Sequence, residues 1–316
     1  MPQEPDTPTA DQVLEMAKEV LPAADRATRF ETGLQHFVFE VTSAQGQSVV
    51  VRASRRSDQT IACDAVYWSD LLRPLGVPLP AILHADMSRA HHPFPFVILE
   101  RVAGRDLGEV IDGLSPAPLR QIAERLIGIQ AATATLGEGQ GYGFTPRMDG
   151  PFPNKSWDKT IAASLAGSRE RIRQAAIVEE CHTDRLLAVS ERLAAYFETV
   201  RPIPFLHDIT TKNVLIDAGH LTGIVDVDNL CFGDPLFLLG LIRTALLAHN
   251  HPPTYADIWI DILSPEPEET AALDFYTALF CLDFLSEIGH RFNRAEPVQA
   301  DKDRIARLLG ALDQHL

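Results

Sequence analysis

Hydrophobic and polar positions follow strand-like runs in roughly the first third of this chain and helix-like spacing after it. Asp11-Gln12-Val13-Leu14-Glu15-Met16 opens a first helix behind Thr9 as candidate cap, and Pro22 ends it. Strand-like runs follow at Arg29 to Thr32, Phe37 to Val41 and Ser48 to Ala53, the last two joined by the turn-rich Ser43-Ala44-Gln45-Gly46-Gln47. Asp64 opens an amphipathic helix through Trp68 and Leu71, which Gly76-Val77-Pro78-Leu79-Pro80 closes before a strand starting at Ala81-Ile82-Leu83. The apolar run Phe96-Val97-Ile98-Leu99 then leads through Glu100, Arg101 and Val102 into a turn at Gly104.

Beyond Gly104 the period changes. Leu119, Ile122, Ala123, Leu126, Ile127 and Ile129 recur at helical spacing behind Ser115-Pro116. Gly137 to Gly143 is glycine-rich but follows a helix, so it reads as a connector and not as a dinucleotide loop. Further helices are expected from Ser156 toward Arg173, from Asp184 to Val200, from Leu236 to Ala248, from Glu268 to Arg291 and near Asp301 to Leu316. One β-hairpin interrupts them, with Val214 to Ile216 and Leu221 to Val225 flanking the turn Asp217-Ala218-Gly219-His220.

Composition narrows the class. The 316 residues are 46% hydrophobic and 22% charged, which suits a globular protein with room for two domains. A formal charge of −15 disfavours nucleic-acid binding and tilts any small partner toward a cationic one, although a solubilising acidic surface explains it as well. Arg243 breaks the most apolar stretch, so no membrane span is expected. The acidic, proline-bearing start lacks the features of a signal peptide, and four scattered cysteines suggest neither a zinc site nor a disulfide framework; a cytoplasmic protein is the expectation.

The chemistry concentrates between Phe205 and Pro235. Asp208 stands five residues before Asn213, the hairpin follows, and Asp226 closes its second strand ahead of Gly233-Asp234-Pro235. Taken singly, Asp208 and Asn213 are ordinary turn residues. Together the three supply a proton acceptor and two oxygen ligands for Mg²⁺ around one phosphoryl group. Phosphoryl transfer asks little more of a protein than positioning and charge neutralisation.

This segment resembles the aminoglycoside phosphotransferase and choline kinase-like superfamily, which has the protein-kinase-like fold. Leu206-His207-Asp208, Asn213, Val225-Asp226-Val227 and Gly233-Asp234-Pro235 stand where that family shows His-Gly-Asp, Asn, Ile-Asp-aromatic and Gly-Asp-Pro. The resemblance implies Asp208 as catalytic base and Asn213 and Asp226 as metal ligands. It also implies a phosphate-covering loop at Gly33, a phosphate-holding cation at Arg52 paired with Asp64, and a hinge near Glu100 and Val102 whose backbone reads the nucleotide base. Departures fall at Leu206 and Leu238, which replace a family histidine and aspartate, and at Val227.

The fold expected is therefore α+β and two-lobed, with a small sheet lobe over residues 1–102, a larger helical lobe over 103–316 and nucleotide between them. The expected function is Mg²⁺-dependent transfer of the γ-phosphoryl of ATP or GTP to a hydroxyl of a small-molecule acceptor. A protein kinase fits less well, because no Asp-Phe-Gly and Ala-Pro-Glu pair bounds an activation loop. A catalytically silent nucleotide-binding module is the alternative, motivated by Leu206 and Leu238. Trp259, Asp274, Asp283 and Glu287 are candidates to line an acceptor pocket, with core or surface roles the plainer reading.

Overall fold

The computed structural model describes residues 7–30, 36–54, 60–292 and 296–316, with backbone alone at 60–62. In chain order, α1 (Ala10–Ala17), β1 (Ala24–Phe30), β2 (Phe37–Ser43), β3 (Ser48–Ala53), α2 (Thr60–Leu72), β4 (Ile82–Asp86) and β5 (Phe96–Glu100) come first. These belong to one compact unit, the chain as far as Ala103, which Gly223–Asp228 also joins. Its five strands form one antiparallel sheet in the order β1-β2-β3-β5-β4.

Strict alternation builds this sheet. Phe37, Phe39 and Val41 of β2 and Val49 and Val51 of β3 point inward onto Val13, Met16 and Ala17 of α1. α1 is closed by a reciprocal cap, in which Gln12 N–H donates to Thr9 Oγ1 (3.3 Å) and Thr9 N–H to Gln12 Oε1 (2.9 Å). Two expected boundaries move. β1 starts at Ala24, five residues before the run that marks it, because its burial does not alternate cleanly; the end of that run and Gly33 lie outside the described residues. α2 begins at Thr60, so Asp64 lies inside the helix instead of opening it.

The second unit holds β6 (Arg105–Asp106), α3 (Leu107–Val110), α4 (Pro116–Ala134), β7 (Gly143–Thr145), α5 (Trp157–Ala175), α6 (Cys181–Arg192), α7 (Ala194–Thr199), β8 (Ile203–Phe205), β9 (Val214–Asp217), β10 (His220–Ile224, whose last two residues count with the first unit), β11 (Leu230–Gly233), α8 (Leu236–His249), α9 (Thr254–Leu263), α10 (Pro267–Ser286) and α11 (Lys302–Gln314). The helix expected over 184–200 is two, divided at Leu193 (φ −90, ψ 5). β7, β8 and β11, strands of three or four residues, form a sheet in the order β7-β11-β8 that is too short for alternation to reveal. α9 is apolar on one face, yet the two prolines before it read as loop.

α8 and α10 are buried nearly all round, Leu238, Leu239, Ile242, Leu273, Leu279 and Leu282 being 0–1% exposed. A buried polar network crosses this core: Trp157 Nε1 donates to Tyr276 Oη (2.7 Å), and the Tyr276 and Tyr196 hydroxyls donate to Asp234 Oδ2 (2.8 and 2.7 Å). Trp157 also occupies the space over Gly233, where a Cβ would come 2.1 Å from its Cζ3. Trp259 is core, whereas Asp274 joins Arg243 and His315, and Asp283 joins Arg171 and Ser168.

Two expectations follow. Gly233→Ala forces Trp157 from its place and lowers stability by about 3 kcal/mol, the upper range of overpacking in a core; thermal unfolding within a degree of the unaltered protein would show that Trp157 moves freely. The hydrogen bond from His315, reinforced by Arg243 against the cost of burial, holds the Asp274 carboxyl below its ordinary range. A depressed carboxyl stabilises the fold above its unfolded pKa and loses that contribution as pH falls through its folded one. Denaturant unfolding of Asp274→Asn between pH 5 and pH 3 should therefore show a shallower acid loss than the unaltered chain; equal slopes would count against the ion triad.

Candidate active site

In the second unit, β8 delivers the chain into the loop that carries Asp208. Leu206 is buried, and its backbone is held at both ends by Gln130 of α4: Gln130 Nε2 donates to Leu206 O (2.6 Å) and Leu206 N–H donates to Gln130 Oε1 (2.9 Å). His207 follows, edge-on to Phe144 of β7 with ring centroids 4.6 Å apart. At Leu238, a fully buried helix position, an apolar side chain is what the core takes, and Asp234 carries the hydrogen-bonding role nearby.

Asn213 closes the loop in the left-handed region (φ 68), which Asn tolerates better than most residues. Its Nδ2 donates to Asp208 Oδ2 (3.0 Å) and to Asp208 O (3.1 Å). The amide oxygen, on the other side of the group, takes no part in these bonds. From beneath, Gly108 N–H donates to Thr211 O (2.7 Å), and the Asp106 carboxylate accepts the Asn213 N–H. Burial, with Glu109 adding to it, raises the Asp106 pKa, against the opposing pull of Lys212 and the Asn213 N–H. Lys212, half-buried, therefore lends its charge to this acid.

The hairpin that follows turns at Ala218 (φ 48) and Gly219 (φ 81), the paired positive φ that a two-residue connection needs. Its second strand carries the chain through Gly223, where Val102 Cγ1 lies 2.8 Å from the place a Cβ would take. Ile224 N–H donates to Pro78 O (2.9 Å), and Asp226 follows at φ 64.

In the first unit, Arg52 of β3 is almost wholly buried. Its Nη2 donates to Asp226 Oδ1 (2.7 Å), and Nη1 and Nη2 each donate to an oxygen of Asp228. Asp228 Oδ2 also accepts from His36 Nε2 at 3.0 Å, while Ser54 Oγ lies 3.4 Å from His36 Nδ1. Burial disfavours the charge on Arg52, but Asp228 and then Asp226 outweigh it and hold its pKa above the ordinary value. Burial likewise opposes the charge on Asp228, and Arg52 and His36 reverse that, keeping its carboxyl well below the usual range. The two acids differ in exposure: Asp226 is 41% exposed and Asp228 is 11%.

Among the described residues Arg52 pairs with Asp226 and Asp228 and not with the expected Asp64. It gives one hydrogen bond to Asp226 and two to Asp228, because a carboxylate two residues beyond Asp226 reaches both guanidinium nitrogens at once. Asp64 is itself buried in α2. Glu100 ends β5, with its N–H on Ala81 O (2.8 Å) and its Oε2 accepting from Ala81 N–H (3.0 Å). Val102 O accepts from Arg101, whose Nε also pairs with Glu40 (2.9 Å). Gly33 lies outside the described residues. Sequence reasoning missed Asp228, His36, Gln130 and Asp106; of these only Asp228 left a signal, the Asp-Val-Asp spacing.

A carboxylate or an amide oxygen suits a hard divalent ion, which takes one or two side-chain oxygens alongside substrate phosphates. Among the described residues no group of three His, Cys, Asp or Glu side chains could hold a metal by itself. Asp226 offers a partly exposed carboxylate and Asn213 an amide oxygen outside its own hydrogen bonds. The Asp208 carboxylate is oriented and can accept a proton.

A model of the phosphotransferase enzyme family matches residues 26–275. No curated protein sequence matches the chain. Among solved structures, a thermostable mutant of aminoglycoside phosphotransferase APH(4)-Ia, in ternary complex with AMP-PNP and hygromycin B, is 18% identical, with a TM-score of 0.67 over 96% of this chain and 97% of that one. Aminoglycoside phosphotransferase APH(2'')-Ib, ADP-bound, is 12% identical, with a TM-score of 0.63 over 98% of this chain and 99% of that one. The likeness to these structures shows an α+β, protein-kinase-like fold. With the family model spanning most of its length, the chain belongs to the phosphotransferase enzyme family and is a small-molecule phosphotransferase with a hydroxyl acceptor.

Proposed function

We propose that the protein transfers the γ-phosphoryl group of ATP to a hydroxyl of a cationic small molecule, with Asp208 as the base and Asn213 and Asp226 as the side-chain ligands of Mg²⁺. The observation that carries this is the bond from Asn213 Nδ2 to Asp208, which orients the base while turning the amide oxygen away from it. Bound Mg²⁺, held by Asn213 and Asp226, would offset the charge that spreads over the phosphate oxygens during transfer.

The chain's own residues do the rest. Asp208 takes the proton of the acceptor hydroxyl as its oxygen attacks phosphorus and the bond to the leaving nucleotide oxygen breaks. Arg52 holds the α- and β-phosphates. Backbone groups at Glu100 and Val102 hold the base edge. ATP is favoured over GTP as donor because both similar structures described above hold an adenine nucleotide. The charge of −15 supports a cationic acceptor, and hygromycin B in one of those structures is a precedent for antibiotic-sized amines.

Asp208→Asn should lower the turnover of a hydroxylated amine acceptor at least about 100-fold, the scale of lost general-base catalysis, while the dissociation constant for ATP stays within about twofold. ADP release measured over a panel of hydroxylated amines checks this, and turnover equal to that of the unaltered enzyme would remove Asp208 as base. Asp226→Asn should abolish the Mg²⁺-dependent part of ATP binding in calorimetric titration. Equal Mg²⁺ dependence in the variant would mean that the ion is held elsewhere.

A further inference from the structure

The buried carboxylate of Asp228 has no part in the chemistry above, and it is the group on which Arg52 leans. Both its oxygens take guanidinium hydrogens, and it also meets His36, the residue that leads out of the Gly33 segment into β2. Asp226 receives a single bond from the same guanidinium. A lysine at position 52 could not make this arrangement, because only the planar fork of arginine can face two carboxylate oxygens at once and still donate sideways to a second acid. Arginine at 52 and aspartate at 228 therefore form a matched pair.

We infer that Asp228 is the positioning residue for Arg52, in the place that sequence reasoning assigns to Asp64: it fixes the guanidinium beside Asp226 so that the cation is in register for nucleotide phosphates before they arrive. The inference rests on the phosphotransfer reading above. Three features of the first unit support it together. The Asp228 side chain is 11% exposed, so water competes little for its hydrogen bonds. Asp226, at 41%, keeps a face open to a ligand while Arg52 holds its other oxygen-bearing side. His36, at the entry to β2, meets the same carboxylate, so one acid holds both the cation and the start of that strand.

Asp228 touches neither substrate nor reacting atoms in this scheme, so its effect is read through Arg52. ATP is the probe, titrated by calorimetry with and without Mg²⁺ into the full-length protein and into Arg52→Gln, Asp228→Asn, Asp64→Asn and the double variants of Arg52 with each acid. Asp228→Asn keeps the size of the side chain, and circular dichroism of each variant confirms folding. Asp228→Asn should weaken ATP binding at least about tenfold even without Mg²⁺, as expected when one partner of a buried, hydrogen-bonded charge pair is removed. Arg52→Gln should match it, and the Arg52→Gln/Asp228→Asn protein should bind no worse than Arg52→Gln alone, whereas Asp64→Asn should add its effect independently. Asp228→Glu should recover most of the affinity in the Arg52 background and none in Arg52→Gln, a rescue that general destabilisation would not produce. Additive losses for Arg52 and Asp228, or coupling of Arg52 to Asp64 instead, would overturn the inference and leave the phosphotransfer reading standing. Failure of the unaltered protein to bind either ATP or GTP would overturn both.

Discussion

The constraint on which the first unit's site depends is a buried arginine. A guanidinium that loses its water must find carboxylates, and a carboxylate that loses its water must find donors; Arg52 and Asp228 satisfy each other through two parallel bonds. Such a pair adds little net stability over an apolar substitute, but breaking one side of it leaves a buried charge uncompensated. That asymmetry makes the pair a specifier of geometry. It fixes where the segment from Gly223 to Asp228 lies against β3, and with it the position of Asp226.

In the second unit, hydrogen bonds shape the loop around Asp208. Gln130 grips the backbone of Leu206, Gly108 grips Thr211, Asp106 takes the N–H of Asn213, and Asn213 reaches back to Asp208. Each bond is of the ordinary net strength of about 1 kcal/mol, so the order of the loop comes from several bonds converging between Leu206 and Asn213. Asn213 and Asp226 both sit in the left-handed region, a conformation that costs an L-residue energy and persists where neighbours over-determine it. Neither strain was readable in advance, yet both fall on residues proposed as metal ligands.

The two leucines that depart from the family pattern lie beside groups that come from far along the chain. At 206 the backbone is gripped by Gln130, seventy-six residues away in sequence. At 238 the side chain is buried in the core, and the polar network nearby joins Asp234 with Tyr196, Tyr276 and Trp157. These contacts are visible only when distant helices are brought to the same place.

Local rules were enough for much of this protein. Alternation over Phe37 to Val41 and Ser48 to Ala53, helical spacing in Leu119 to Ile129 and Leu236 to Ala248, and the hairpin between Asn213 and Asp226 all follow from the period of the hydrophobic pattern and from turn chemistry, which act over a few residues. The spacing of Asp208, Asn213 and Asp226 was legible for the same reason, since it is fixed by one loop and one hairpin. Partner choice was not. Arg52 could have paired with Asp64 on α2 as far as sequence distance and charge could say, and it pairs with Asp226 and Asp228, more than 170 residues on. The short strands β7, β8 and β11 were equally hidden, because three or four residues carry no period and their register exists only once all three lie side by side. What the chain wrote into its own sequence was which groups would do chemistry; which acid would hold which cation was settled by burial, where the geometry of a guanidinium selects the carboxylate that can meet two of its nitrogens at once.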